Sequence, residues 1–486
     1  MERKIWIGIG ILAAVLLILS LFIFLYRPTP TREQLLKKFE EFEGKSQEMK
    51  EMGYNVTEAE GFARRAWQAF NRKDYIQAEE FLRKAFESLE KARKILVIPE
   101  EVKEASREKL RNIRVAVVYE SVTDYRAFNR SLNDVVQHLK SVNADFVFRG
   151  FWVWGPCAER CSDLPEEVLN IYEERGFDCE RQGYYYAHLR DVISSIKGEM
   201  PDIIFCSGIP AQRINFIEID PITNKIYEKD EVEKMALDPS KWGMTTSKEE
   251  LQRRLQNTMI GTGGYFPDIT NPEFQKLLLD RAKKQIDAGA DAIWIDMLFS
   301  QARILAKLTN DPYHPAVRES YEASSKIIDK IHRYGYEKYR RYIYVGTWWT
   351  FLELPYPTPD VDFITVSPLP EEVERMSLND SRWEDIIKKA KNLKSVTILA
   401  FIDWGTEHSP MVVFSQKLEP EKQKEFLVKA NQFFASKGIV FAYPLHGGFM
   451  GKSAKKLSFN KWNIYDSLAP EFQIFETVKE LSSIRY

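Results

Sequence analysis

From Arg114 onward the chain repeats one pattern eight times, an apolar run of strand length followed in most cases by a longer amphipathic stretch. The runs are Arg114–Glu120, Asp145–Trp152, Asp202–Ser207, Ala292–Asp296, Tyr342–Thr347, Val361–Val366, Val396–Asp403 and Gly438–Tyr443. Helical spacing predicts helices over Leu132–Val142, Pro165–Arg175, Pro272–Ala288, Ala316–Arg333, Trp383–Asn392, Lys422–Lys437 and Glu471–Ile484. Strands that alternate with helices pair in parallel, because a crossover helix returns the chain to the same end of the sheet. Eight such units over residues 113–486 fit a single α/β domain, a (β/α)8 barrel. An open doubly wound sheet is the alternative, but its Gly-rich first turn is missing after Glu120, where the chain reads Ser121-Val-Thr-Asp124.

Two segments precede the barrel. Residues 5–26 carry no charge, and Ser20 is their only distinctly polar side chain. A helix of about 20 apolar residues crosses a bilayer, so residues 1–27 read as an uncleaved transmembrane anchor with Trp6 and Tyr26 near the interfaces. A cleaved signal peptide is the alternative, and it lacks the small-residue cleavage site. A short tail before a single apolar segment favours an extracellular barrel, although Arg and Lys flank both ends.

Residues 28–112 read as an all-α stalk or spacer, with Glu58–Phe70 and Tyr75–Ile95 as a helical hairpin closed by small residues. The pair resembles one tetratricopeptide-type unit without a second copy, so a protein partner docked there is the lesser reading. The formal charge of −2, with 29% charged residues, gives no global bias toward nucleic acid. Abundant Lys, Glu, Arg, Ile and Tyr suit a thermophile's surface ion pairs.

Carboxyl ends of barrel strands carry the chemistry of this fold, and four acids fall there: Glu120, Asp296, Glu353 and Asp403. Alternation puts Asp296 on the face of Ala292 and Trp294, and Asp403 on the face of Leu399 and Phe401. Aromatic residues cluster at the same exits, with Trp152, Trp154, Trp348, Trp349 and Trp404 as candidate platforms for an apolar ring face. Tyr265, Tyr443, His446, Arg149 and Arg213 are candidate hydrogen-bonding or charge-bearing partners. The longest insertion, after the third strand, contains Ile214–Asp220 as a hairpin strand and ends before Thr270-Asn-Pro-Glu273, a possible capping box.

The run from Phe266-Pro-Asp-Ile-Thr-Asn-Pro272 into a helix, then Asp287-Ala-Gly-Ala-Asp-Ala-Ile-Trp-Ile-Asp296-Met, resembles the fourth-strand region of many (β/α)8 glycoside hydrolases. The chain carries neither the Asn-His-Asp triplet nor the Gly-x-Arg-x-Asp motif of alpha-amylases, nor an Asn-Glu pair on the fourth strand. The resemblance implies that Asp296 is a nucleophile or base; position and alternation make Asp403 its best partner, with Glu120 or Glu353 as substitutes. Such pairs lie about 5–5.5 Å apart for retention and roughly 6.5–9.5 Å apart for inversion. The implied substrate is an extracellular or envelope polysaccharide, without a cofactor. A catalytically silent barrel that binds glycans or a protein is the alternative function.

Cys157, Cys161, Cys179 and Cys206 fall near the second and third strand exits. One or two disulfides, free buried thiols and a zinc site with His188 all remain open. Six histidines occur with no His-x-His or His-Glu-x-x-His spacing, so no metal site is expected at the acids.

Overall fold

The computed structural model describes residues 29–92, 96–391, 393 and 396–484. The expected anchor, residues 5–26, lies outside them; among the described residues no helix is long and apolar enough to cross a membrane. The chain divides into two compact units at Val97/Ile98.

In the first unit three helices, α1 (Arg32–Glu51), α2 (Thr57–Asn71) and α3 (Tyr75–Glu90), enclose a small core. Thr31 starts α1 with a reciprocal capping box to Gln34, and Asp74 starts α3 by accepting from the Gln77 N–H. Ala59, Ala63, Ala66 and Ala69 of α2 and Ala78 and Ala85 of α3 are buried. With so little side chain between them, the two helices pack closely, and Leu35, Phe39 and Phe42 of α1 cover the pair.

The second unit is a closed barrel. Its strands are β1 (Ala116–Tyr119), β2 (Phe146–Phe148), β3 (Ile204–Pro210), β4 (Ala292–Asp296), β5 (Tyr344–Trp348), β6 (Phe363–Val366), β7 (Thr397–Phe401) and β8 (Val440–Phe449). Each pairs in parallel with the next, and β1 pairs in parallel with β8 to close the ring. A ninth strand, β9 (Ile464–Asp466), runs antiparallel beside β8 at the rim.

Side-chain parity sorts the strand residues into two cores. Ala116, Val118, Phe146, Phe148, Ile204, Cys206, Ala292, Trp294, Tyr344, Phe363, Leu399, Phe401 and Ala442 meet inside the ring. Their neighbours, including Val117, Val147, Phe205, Ile293, Ile295, Val345, Ile364 and Ala400, face the surrounding helices. The interior is therefore filled, as a small barrel requires.

Helix α4 (Glu100–Arg111), read above with the spacer, packs Leu110 and Val102 against this interior. Arg107 reaches the floor: its Nε lies 3.0 Å from Asp362 Oδ1 and its Nη2 lies 2.6 Å from Asp360 Oδ1. Asp362 also accepts from the Tyr342 hydroxyl at 2.6 Å and the Val345 N–H at 2.8 Å, so this buried charge is fully partnered.

The insertion after β3 differs from the single hairpin strand expected over Ile214–Asp220. It splits into two short antiparallel ladders, Ile214–Asn215 with Gly264–Tyr265 and Glu218–Ile219 with Ile226–Tyr227. The reason is a buried ion pair: Glu218 turns inward to Arg281 and also accepts from the Asn215 N–H at 2.7 Å, which breaks the run. Helix α5 (Pro272–Asp287) follows, capped by Asn271 and not by Thr270. Asn271 Oδ1 accepts from the Glu273 and Phe274 N–H groups, while the Thr270 hydroxyl is held by Asp268 at 2.7 Å.

Candidate active site

Four strand exits converge on one cluster. Asp296 ends β4, Glu120 follows β1 by one residue, Arg149 follows β2 by one and Asp403 follows β7 by two. Ser121, Arg149 and Met297, at or next to these exits, take left-handed backbone with φ of 59°, 58° and 56°. Such conformations cost on the order of 1 kcal/mol or more for a residue with a Cβ, and they gather where a side chain must be aimed against backbone preference.

Both oxygens of Asp296 are engaged. Gln212 Nε2, on the segment leaving β3, donates to Oδ2 at 2.5 Å, and Trp348 Nε1, at the end of β5, donates to Oδ1 at 2.6 Å. Burial raises the Asp296 pKa, and the Arg149 charge together with these two donors opposes the rise. The carboxylate is thus held in one orientation by fixed dipoles.

Asp403 lies in a different environment. Its pKa is pushed up to about 7, first by burial and then by the negative charge of Asp296, with Glu120 adding to the push; Arg149 and the Trp404 N–H work the other way. Two carboxyls in one site whose surroundings treat them differently are the usual means of keeping one protonated beside an ionised partner.

Arg149 is the centre of the cluster. Its Nη2 lies 3.1 Å from Glu120 Oε1, and its guanidinium carbon lies 4.2 Å from the ring centre of Trp152, 4.1 Å from Trp404 and 5.2 Å from Trp294. The guanidinium is almost wholly buried, and the indole faces attract it through their negative quadrupole. Two faces expected as open platforms are thereby covered. Glu120 accepts a second bond, from the Gly448 N–H at 3.1 Å to its other oxygen.

The remaining candidates divide by side-chain parity and by reach. Trp154 stacks on Trp152 with ring centres 5.8 Å apart, and Trp348 stands half-buried over the interior cluster. Trp349, one residue on, faces the opposite way and lies under Lys389 of the helix Asp380–Ala390, with Nζ 5.6 Å from its ring centre. Tyr443 is on the outward parity too, buried with its hydroxyl 2.7 Å from Asn431 Oδ1 on the helix Pro420–Ser436. Glu353 leaves the bowl on a short 3-10 turn and pairs with Arg303 at 2.9 Å. Tyr265 sits in the insertion, its hydroxyl 3.4 Å from Glu233.

Arg213 is spent on structure. It donates to the Ile260 and Thr262 carbonyls and to Asn215 Oδ1 at 3.0 Å, with its guanidinium 5.2 Å from the Trp154 ring centre. His446 lies below the rim, bound on both ring nitrogens by carboxylates.

Cys161 and Cys179 form a disulfide, whereas Cys157 and Cys206 are buried free thiols whose pKa values burial raises. Among the described residues no group of three or more His, Cys, Asp or Glu is arranged to hold a metal ion. A cavity of about 720 Å³ opens at the opposite end of the barrel, between residues such as Arg114, Asp145, Asn431 and Ser482. It lies away from every strand exit, so the acid cluster, and not this hollow, is the candidate site.

Sequence reasoning passed over Gln212 and gave Arg149 only a general role. Position was the available signal: both follow a strand exit within two residues, in Arg149-Gly150 and Pro210-Ala-Gln212.

No family model matches the chain, and no curated protein matches it. The chain is similar in structure to several glycoside hydrolases. One is the glycoside hydrolase domain of PelA from Pseudomonas aeruginosa, 11% identical, matched over 68% of this chain and 95% of that one with a TM-score of 0.36. A second is an Anoxybacillus alpha-amylase, 10% identical over 76% and 78% of the two chains, with a TM-score of 0.45. A third is an alpha-amylase from Lactobacillus plantarum, 11% identical over 77% and 80%, with a TM-score of 0.43.

Proposed function

We propose that this chain is a glycoside hydrolase that cleaves an extracellular or envelope polysaccharide, with Asp403 as general acid and Asp296 as nucleophile or base. The observation that carries the reading is the unequal treatment of the two carboxyls. Asp296 is fixed by the Gln212 and Trp348 donors, while Asp403 is pushed up to about 7 by burial and by its acidic neighbours. Glycosidic cleavage needs one group that gives a proton to the leaving oxygen and one that attacks the sugar or activates water. At neutral pH a carboxyl of pKa near 7 still holds a proton for a large part of the time, which suits the first task. Arg149 keeps the charge of three acids within bounds and braces Glu120.

The disulfide Cys161–Cys179 supports a location in an oxidising compartment, in keeping with an N-terminal anchor and an outward-facing barrel. The test is reducing-end release from a polysaccharide panel by the wild type, Asp296→Asn and Asp403→Asn. Release by the wild type alone is the expected result. Equal release by Asp296→Asn would remove that residue from the chemistry.

A barrel that binds glycan without cleaving it is favoured by one observation, the guanidinium already seated on the faces of Trp152 and Trp404. Under that reading all three proteins retain the polysaccharide on a column and none releases reducing ends.

A further inference from the structure

We propose that the imidazolium of His446 is a positioning group for Glu120: clamped between Asp124 and Asp466, it fixes the Gly447–Gly448 turn on which the Glu120 side chain rests. The proposal rests on the reading of Asp403 as the acid, because Glu120 acts on the cluster through its charge.

The geometry begins at the seam of the barrel. His446 lies on β8 opposite Tyr119 of β1, and its carbonyl accepts from the Glu120 N–H at 2.9 Å. Its ring is gripped from both sides, Nδ1 2.7 Å from Asp466 Oδ2 on β9 and Nε2 3.0 Å from Asp124 Oδ2 on the turn after β1. With a carboxylate on each nitrogen, the ring is at ease only when both nitrogens carry protons. Arg130 completes the group, with Nη1 2.7 Å from Asp466 Oδ2 and Nη2 2.8 Å from Asp466 Oδ1. Two cations and two carboxylates are thus buried together, and the clamp ties the first and last strand exits to one another.

The next two residues form the seat. Gly447 and Gly448 both have φ of 99°, and a Cβ on Gly447 would fall 2.2 Å from the Glu120 Cβ. Only glycine lets the backbone come this close, and the Gly448 N–H then reaches Glu120 Oε2. Glu120 is held by this turn on one oxygen and by Arg149 on the other. Its charge is one of those that raise the pKa of Asp403.

The titratable and charged groups around the His446 ring are Asp124, Asp466 and Arg130, with the Tyr119 ring centre 4.9 Å away and His138 of the helix Leu132–Ser141 coupled to it through charge; the Phe128 ring packs edge-on at 4.5 Å. Burial opposes the proton on His446, but the two carboxylates outweigh it and raise its pKa to about 9. In the folded protein the imidazolium, and with it the clamp, is lost as pH rises through about 9; the stability it contributes is full below about 6.5, the ordinary histidine value, and disappears over the same rise.

The test follows the Asp403 carboxyl by 13C NMR in the full-length chain with labelled aspartate, with Asp403→Asn to assign the signal. The midpoint near 7 is expected to fall in Glu120→Gln and, by about half a pH unit, in His446→Gln. The double variant is expected to fall no further than Glu120→Gln alone, because the two act in series. Asp124→Asn, which keeps the shape and removes one side of the clamp, is expected to shift the midpoint in the same direction. An Asp403 midpoint that stays put in His446→Gln and Asp124→Asn, or shifts that add in the double variant, overturns the proposal. The readout needs no substrate, so a wild type that cleaves nothing counts against the hydrolase reading and leaves this result standing.

Discussion

Replacing Asp403 by Asn is expected to make the protein more stable at alkaline pH and, under the proposed reading, to lower its activity sharply. The folded-state pKa of about 7 stands about 3 pH units above the ordinary value of 3.8. At about 1.4 kcal/mol per unit, the folded site disfavours the ionised form by about 4 kcal/mol. Below pH 3.8 the carboxyl is protonated whether the chain is folded or not, and it contributes nothing. As pH climbs from there toward 7 the unfolded chain ionises first, so the wild type loses stability across that window and not outside it. Asn cannot ionise and escapes the loss. Urea denaturation of both proteins at pH 4 and pH 8 measures the swing. The gap in unfolding free energy is expected to move by about 4 kcal/mol in favour of Asp403→Asn between the two. Under the proposed reading the same substitution removes the proton donor, a loss of about 10²- to 10⁴-fold in rate. A gap that stays constant within about 1 kcal/mol over this range would refute the account of Asp403 as a buried acid.

Other outcomes follow from single contacts. Trp348→Phe removes the 2.6 Å bond to Asp296 Oδ1, a hydrogen bond to a charged group worth about 1.5–3 kcal/mol. Protonation of Asp296 then becomes easier, and the acid limb of kcat/KM is expected to move to higher pH by about 1 unit. Converting Cys161 and Cys179 together to serine opens a loop of sequence separation 18 and is expected to cost about 3 kcal/mol in urea denaturation of the oxidised protein. Arg107→Leu strips the cation from buried Asp362 and is expected to destabilise the barrel by about 3–5 kcal/mol, read by the same denaturation.

The strands were legible because parallel barrel strands are buried on both faces and so read as short continuous apolar runs: Ala292–Asp296 has the expected limits, and the other seven agree within about four residues at either end, save that β8 runs on to Phe449, past the expected Tyr443. Asp296 was legible for the same reason, as a carboxylate ending an apolar run. Parity also held a signal that the reading of aromatic clusters overlooked. Trp348 and Trp349 are adjacent, so they cannot both face inward, and Tyr443 stands one place from inward-facing Ala442. Arg149 and Gln212 were less legible because only their place just past a strand exit marks them. Their roles exist only once ring closure brings the ends of β2, β3 and β4 together, and a lone Arg or Gln in a turn carries no period. Glu353 misled because it is near its strand in the chain, yet the 3-10 turn carries it outward to Arg303.

The segment that leaves β3 performs two jobs over four residues. Gln212 supplies a hydrogen bond to Asp296, while Arg213 and Asn215 lash the insertion to Ile260, Thr262 and the Trp154 carbonyl. Under the proposed glycosidase reading, ligand choice and turnover are therefore mechanically linked: lengthening or reshaping this wall to admit a different chain would also retune the carboxylate it touches. Variants selected for a new specificity in this loop should arrive with altered pH optima, and restoring one trait without disturbing the other would call for compensating changes on the neighbouring Trp348 side.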